Sequence, residues 1–352
     1  MRRSLIDHLA DPVSQAPLEL APEVVEEQDE IVEGTLRGPA GSTYPVLAGI
    51  PRFVEVDDSD QRRTAESFGY KWQQRDSYDS PGFRGFALEW FLERYGFGSE
   101  EELANFFRER RLSLDAGCGG AYTTSLWMKP GWQDGSSAEW VGLDISVAVD
   151  VARERIGSSG GVHFVQGDVS HPPFLPDTFD AILSEGVLHH TPSTKDALRG
   201  LTRVLAPGGE IMFYVYRKKG PIREFADDHI REVLSSMPPE EAWDALRPLT
   251  KLGQALAELK TTVEIPEDIP YLGIEAGSHD VQRLVYWSFL KLFWNENLGF
   301  EENNHINFDW YHPRYAHRQT EEEVRAWCHE LGLDVFHLVA QESGFTVRAT
   351  KR

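Results

Sequence analysis

Two glycines, Gly117 and Gly119, stand between an apolar stretch and a helical one, and two carboxylates, Asp144 and Asp168, end the next two apolar stretches. Glycine lets the backbone turn tightly and come close to a ligand without side-chain obstruction. An acidic residue ending the following strand suits ribose hydroxyls in a doubly wound fold. A further carboxylate can accept a hydrogen bond from an adenine amino group. Together they call for a nucleoside-bearing ligand; singly, each is an ordinary strand-end carboxylate or turn glycine. Two more concentrations of reactive types follow. One is the pair His189-His190, which can titrate near neutrality. The other is Phe308-Asp309-Trp310-Tyr311-His312-Pro313-Arg314-Tyr315-Ala316-His317, whose aromatic and donor groups suit a pocket wall or, more blandly, a packed loop.

The elements that must position these residues alternate. Strands are expected over 111–116, 140–145, 162–165, 179–183 and 210–216, with helices over 123–128, 147–155 and 194–205 between them. That order predicts a parallel sheet with helices on both faces. A last helix over 320–330 opens on a capping box, Thr320 with Glu323, and strands over 334–340 and 345–349 follow a hairpin-length turn. Residues 1–57 read as a small separate α+β module, 58–110 as a helical lead-in, 111–216 as the core, 217–319 as an aromatic helical insertion that forms a lid, and 320–352 as the end of the core sheet. Within the insertion, the apolar stretch 285–294 reads first as a buried helix and second as a dimer face, so a homodimer is one allowed assembly.

With 57 acidic against 35 basic residues the net charge is −22, which weighs against a nucleic-acid partner unless Arg217, Lys218, Lys219 and Arg223 form a local basic patch. Asp7, His8 and Asp11 interrupt any targeting segment, and no stretch is apolar enough to span a bilayer, so a cytoplasmic protein is expected. Cys118 and Cys328 give no disulfide framework. The histidines at 279, 305, 312 and 317 lack tight ligand spacing, and no metal is assigned.

Asp115-Ala116-Gly117-Cys118-Gly119-Gly120, Gly142-Leu143-Asp144-Ile145-Ser146, Gly167-Asp168-Val169, Glu185-Gly186-Val187-Leu188-His189-His190-Thr191 and Val204-Leu205-Ala206-Pro207-Gly208-Gly209 resemble the successive motifs of class I S-adenosylmethionine-dependent methyltransferases, particularly those of quinone biosynthesis. A dinucleotide dehydrogenase has a third glycine where Tyr122 or Thr123 stands here. The resemblance implies a Rossmann-like, doubly wound α/β sheet of seven strands ending in an antiparallel hairpin, with S-adenosylmethionine as cofactor. By position, Asp115, Ala116, Gly117 and Gly119 would surround the methionine moiety, Asp144 and Ile145 the ribose, and Asp168 with Val169 the adenine. Ser184 and Glu185 would lie beside the sulfonium. Tyr70 or Trp72, ahead of the core, would stack over the cofactor or else pack in the core. Methyl transfer is an in-line displacement that needs alignment more than covalent help. Where a proton must leave the acceptor, His189, His190 and Tyr311 are the candidate bases; the histidines alternatively bond backbone at the strand end.

Leu9-Ala10-Asp11-Pro12-Val13-Ser14, Gly34-Thr35-Leu36 and Tyr44-Pro45-Val46-Leu47-Ala48-Gly49-Ile50-Pro51 resemble a zinc-ribbon-like family known as an activator of methyltransferases and fused to them. Its four cysteine positions fall near Asp11, Ser14, Gly38 and Gly41, so the module is expected without zinc, as a docking or dimerisation unit or as a relic packed on the core. The leading expectation is methyl transfer to an N, O or C atom of a small molecule. RNA or protein methylation and a non-catalytic activator are the alternatives.

Overall fold

The computed structural model describes residues 1–39, 41–54, 58–129, 132–133, 136–157 and 160–352. At the amino terminus β1 (Glu19–Leu20), β2 (Val25–Glu27), β3 (Glu30–Arg37), β4 (Thr43–Leu47) and β5 (Ile50–Pro51) form an antiparallel sheet. It shares one hydrophobic cluster with the core: Met1, Leu5, Leu9, Ile31, Val46 and Phe53 pack with Val165, Phe174 and Phe179. The Phe53 N–H also donates to the Gln166 carbonyl at 2.8 Å. The boundary expected at 57 falls outside the described residues.

Three helices lead into the core: α1 (Ser59–Gln73), α2 (Pro81–Tyr95) and α3 (Glu100–Arg108). Local chemistry starts and stops them. Asp58 accepts the N–H groups of Asp60 and Gln61 at the head of α1, and Ser80 caps α2, which carries Pro81 in its first turn and ends on the left-handed Gly96, φ 73°.

The core follows as β6 (Leu112–Ala116), α4 (Tyr122–Trp127), β7 (Glu139–Asp144), α5 (Ala148–Ile156), β8 (Val162–Gln166), β9 (Phe179–Glu185), α6 (Thr194–Val204) and β10 (Leu205–Tyr216). Alternate side chains of these strands enter different clusters. Leu112, Leu114 and Ile182 pack with α6, whereas Ala181, Leu183 and Trp140 pack with α5 and Trp127, as in a sheet buried on both faces.

The stretch between β10 and the last helix holds α7 (Pro221–Leu234), α8 (Pro239–Glu258), a hairpin of β11 (Thr262–Ile265) and β12 (Gly277–Asp280), α9 (Val281–Ser288) and α10 (Phe300–Tyr311). The chain closes with α11 (Glu321–Glu330), β13 (Leu333–Ala340) and β14 (Gly344–Lys351). Thr320 accepts the Glu323 N–H and Glu323 returns the bond to Thr320, the expected capping box. The seven-stranded sheet runs β13-β14-β10-β9-β6-β7-β8, with β14 antiparallel to both of its neighbours.

The expected helix over 285–294 is a correction. It ends at Ser288, because buried polar side chains take the backbone groups that a helix would use. Lys291 N–H donates to Asp227 and Phe293 N–H to Asn307, while Gln282 donates to the Leu292 carbonyl. The hairpin of β11 and β12 was not expected in a helical insertion. No described helix is long and apolar enough to cross a membrane.

Candidate functional site

The carboxyl ends of β6, β7, β8 and β9 open into a cavity of about 510 Å³, closed on the other sides by α1, α2 and the segment from α9 to α10. Asp144, at the end of β7, is the best-connected group at its base. It accepts from the Gly119 N–H at 2.8 Å through one oxygen, and from the Ser146 N–H and hydroxyl at 2.8 and 2.6 Å through the other. Burial raises its carboxyl above the ordinary range against the Ser146 and Gly119 bonds. Asp168 accepts from Gln61 Nε2 at 2.9 Å and the Ser170 N–H at 2.8 Å. Burial would raise it, but His171, Ser170 and Gln61 outweigh that and hold it low.

The glycines meet a tighter constraint than ligand clearance. Gly117 and Gly119 have φ of 85° and 51°, and a Cβ at either would collide with Val187 or with the Trp72 indole. Gly117 lines the cavity; Gly119 lies beneath Trp72 and outside the lining.

Of the residues singled out from sequence, Gly117, Asp144, Ile145, Asp168, Val169, Glu185 and His190 line the cavity. The others support its wall. Asp115 is buried, takes the Thr124 hydroxyl at 2.6 Å, and is pushed up to about 7 by burial in spite of that bond. Ser184 donates to the Ala116 carbonyl at 3.0 Å, so both of these are buried behind the wall.

Tyr70 points away from the cavity and packs against Trp243 and Phe308, because the cavity face of α1 is the one bearing Gln61, Thr64, Phe68, Lys71 and Trp72. Tyr311 is wholly buried and does not line the cavity; its hydroxyl lies 2.7 Å from an Asp227 oxygen and 2.9 Å from the Lys291 carbonyl, which share its one proton. It therefore cannot reach an acceptor, and acts instead as a buried tie. His189 is also wholly buried, its ring 3.6 Å from that of Tyr216.

Glu185 is held on both oxygens, by Arg94 at 2.5 Å and the Tyr95 hydroxyl at 2.6 Å. Arg94 in turn lies 3.4 Å from the Trp90 ring centre. A carboxylate so engaged is a fixed wall rather than a free base.

His190 differs from His189 in one respect that matters chemically. Its Nδ1 lies 2.6 Å from the Tyr315 carbonyl, which can only accept, so the ring proton sits on Nδ1 and Nε2 keeps its lone pair. Nε2 has no partner among the described residues. Burial lowers the imidazole to about 4, so it is neutral at pH 7.

Sequence reasoning missed the α1 face apart from Trp72. The signal was present, because 61, 64, 68, 71 and 72 fall at helical spacing; Lys71 makes a 2.5 Å ion pair with Asp309 of α10 across the cavity. It also missed Trp90, Tyr214, Tyr216, Tyr286 and Trp287 in the lining.

The donor set fits an adenosyl cofactor. Asp144 and Asp168 present acceptors at adjacent strand ends, and the buried Tyr122 hydroxyl in the same wall has no partner among the described residues. Strand order, glycine loop and strand-end carboxylates agree with the expectation from the resemblance to class I S-adenosylmethionine-dependent methyltransferases. Residues 114–213 match the family described as methyltransferase domain, and S-adenosylmethionine is the cofactor of that domain.

The mouse protein named probable tRNA methyltransferase 9B is 36% identical over 119 residues, covering 32% of this chain and 24% of its own. The ubiquinone/menaquinone biosynthesis C-methyltransferase of Ectopseudomonas mendocina is 36% identical over 90 residues, covering 24% of this chain and 35% of its own. Among solved structures, the complex of the Haloferax volcanii Trm112 methyltransferase activator with a methyltransferase has a TM-score of 0.41 at 14% identity, covering 84% of this chain and 99% of that one. The chain spans about a quarter to a half of the length of the curated relatives it matches. Among the described residues no group of three or more His, Cys, Asp or Glu could hold a metal.

Proposed function

We propose that the protein transfers a methyl group from S-adenosylmethionine to an N, O or C atom of a small molecule held against the aromatic wall, with His190 Nε2 accepting the proton that leaves. One observation carries this reading: the cofactor strand ends and the aromatic side chains of the insertion line the same cavity, which is of the size that encloses small ligands. The cofactor supplies an electrophilic methyl on sulfur. Asp144 would hold the ribose, and Asp168, with Gln61 displaced, the adenine amino group. Glu185, neutralised by Arg94, keeps its place beside the acceptor. The segment from α9 to α10 acts as the lid, excluding water so that the displacement is the favoured course.

The tRNA methyltransferase relatives support a second reading, an RNA acceptor, and this reopens a class that the net charge alone had set aside. Incubating the protein with labelled S-adenosylmethionine and either a small-molecule extract or total tRNA separates the two. Label in the extract alone supports the first reading; label in tRNA alone overturns it.

A further inference from the structure

The insertion side of the cavity carries four cations, two of which, Lys291 and Arg283, have no ion pair among the described residues. Lys219, Arg223, Arg283 and Lys291 line it, and the carboxylates nearby are engaged: Asp227 with Arg223 at 2.5 Å, Asp309 with Lys71 at 2.5 Å. Lys219 donates to the carbonyls of Glu342 and Ser343. Lys291 is 7% exposed, and its ammonium has no hydrogen bond or ion pair among the described residues. It rests over the Trp310 ring, 4.8 Å from the centre. Its backbone is fixed from both sides, the N–H by Asp227 and the carbonyl by Tyr311, so the side chain is aimed rather than idle. Arg283 is exposed and likewise has no ion pair among the described residues. In a chain with a net charge of −22, cations left without carboxylates are not an overflow of base. A buried ammonium without a partner is costly, and an anionic ligand would relieve that cost.

A path of rings joins this corner to the catalytic one. Trp310 is 4.5 Å from Tyr216, and Tyr216 is 5.4 Å from His190, centre to centre. A flat molecule lying along Tyr216 and Trp310 would reach Lys291 at one end and the His190 ring at the other.

We infer that this corner is an anion subsite, with Lys291 as its inner charge and Arg283 at its mouth, and that the methyl acceptor is an aromatic or conjugated carboxylic acid. The inference rests on the methyl-transfer reading for the role of His190, but the subsite itself does not. Burial, opposed chiefly by Asp309, brings Lys291 down to about 7. The charged and titratable groups around it are Lys219, Arg223, Asp227, Arg231, Asp309 and, at its carbonyl, Tyr311.

The test is a calorimetric titration of the full chain, with and without saturating S-adenosylhomocysteine, using 4-hydroxycinnamate and indole-3-acetate against their primary amides. An acid binding at least tenfold more tightly than its amide is expected, with the preference removed by Lys291→Met and reduced severalfold by Arg283→Ala. S-adenosylhomocysteine affinity should stay within twofold in both variants. Acid affinity should weaken as pH rises through 7, since Lys291 then loses its proton. Acids and amides binding equally, or none of them binding, would overturn the subsite. A protein that ignores S-adenosylhomocysteine yet prefers acids would overturn the methyl-transfer reading and leave the subsite standing.

Discussion

The Nδ1 of His190 lies 2.6 Å from the Tyr315 carbonyl, and this contact fixes which nitrogen of the ring can act as a base. Because the carbonyl can only accept, the lone pair is on Nε2, the buried atom left without a partner in a ring that lines the cavity. His190→Ala is expected to lower turnover by about 10²- to 10⁴-fold, the usual contribution of a positioned base. S-adenosylhomocysteine affinity should change less than twofold. Since the imidazole titrates at about 4, the wild-type rate should show no His190 limb above pH 5. Unchanged turnover in the variant would remove the base role.

At the glycine loop, the side chain of Val187 fills the space a Cβ at Gly117 would need. Gly117→Ala is therefore expected to destabilise the protein by about 1 to 3 kcal/mol through overpacking and left-handed strain. Adding Val187→Ala should recover part of that loss, because the two side chains compete for one volume. Denaturant unfolding of the two single variants and the double variant measures the coupling; simple additivity would show that collision is not the cause.

Arg94 is wholly buried and pairs with Glu185. Arg94→Met leaves that carboxylate with only the Tyr95 hydroxyl, and breaking a buried pair in this way costs about 3 to 5 kcal/mol. Arg94→Met combined with Glu185→Gln should be distinctly less destabilised than Arg94→Met alone. The same unfolding measurement decides it.

His305 is buried beside the Ser77 hydroxyl at 2.8 Å, and burial, reinforced by Lys71, lowers it to about 3. Unfolded, it titrates near the ordinary histidine value of 6.5. Between those values the unfolded chain binds a proton that the native one does not, so this stability is present above about 6.5 and is lost as pH falls towards 3. The slope is about 1.4 kcal/mol per pH unit. Asp115, raised to about 7, works in the opposite sense over part of this range, so the useful comparison is wild type against His305→Gln. The variant's stability should decline less steeply from pH 6 to 4; parallel curves would contradict the buried-neutral assignment.

The core was legible because its signals are local. Apolar runs ending in Asp144 and Asp168 and the capping box at Thr320 are written in consecutive residues. The insertion was not, because its logic is tertiary. Helix α10 buries Glu302, Asn303, Asn304, His305 and Asn307, a polar stretch that reads as solvent-facing. Those side chains bind α8 and the 293–299 backbone, for example Asn304 accepting the Thr250 hydroxyl at 2.7 Å and Asn303 donating to the Gly299 carbonyl at 2.9 Å. For the same reason the stretch after Ser288 forms no helix although its composition suits one. In the segment 308–317, composition pointed to a pocket wall, yet Asp309 and Trp310 supply it while Tyr311 turns inward to Asp227. Which face a residue takes is decided by what α7 and α9 offer it.

A comparable polar tie holds the amino-terminal sheet. Asp11 accepts from the N–H groups of Val13 and Ser14 at 2.9 and 2.7 Å and from the Ser42 and Tyr44 hydroxyls, and a Cβ at Gly38 would fall 2.7 Å from its Oδ2. Burial would raise the carboxyl, but these bonds outweigh it and hold it down to about 2. A hydrogen-bonded carboxylate thus ties together the loops that bear Val13, Ser14, Ser42 and Tyr44.

The central claim is that the cavity at the ends of β6, β7 and β8 is the cofactor site. Isothermal calorimetry with S-adenosylhomocysteine tests it most directly, on wild type and on Asp144→Ala. One site per chain is expected in the wild type and at least a tenfold loss of affinity in the variant, with the variant still folded by circular dichroism. Equal affinity in the two proteins, or no binding to the wild type, would contradict it.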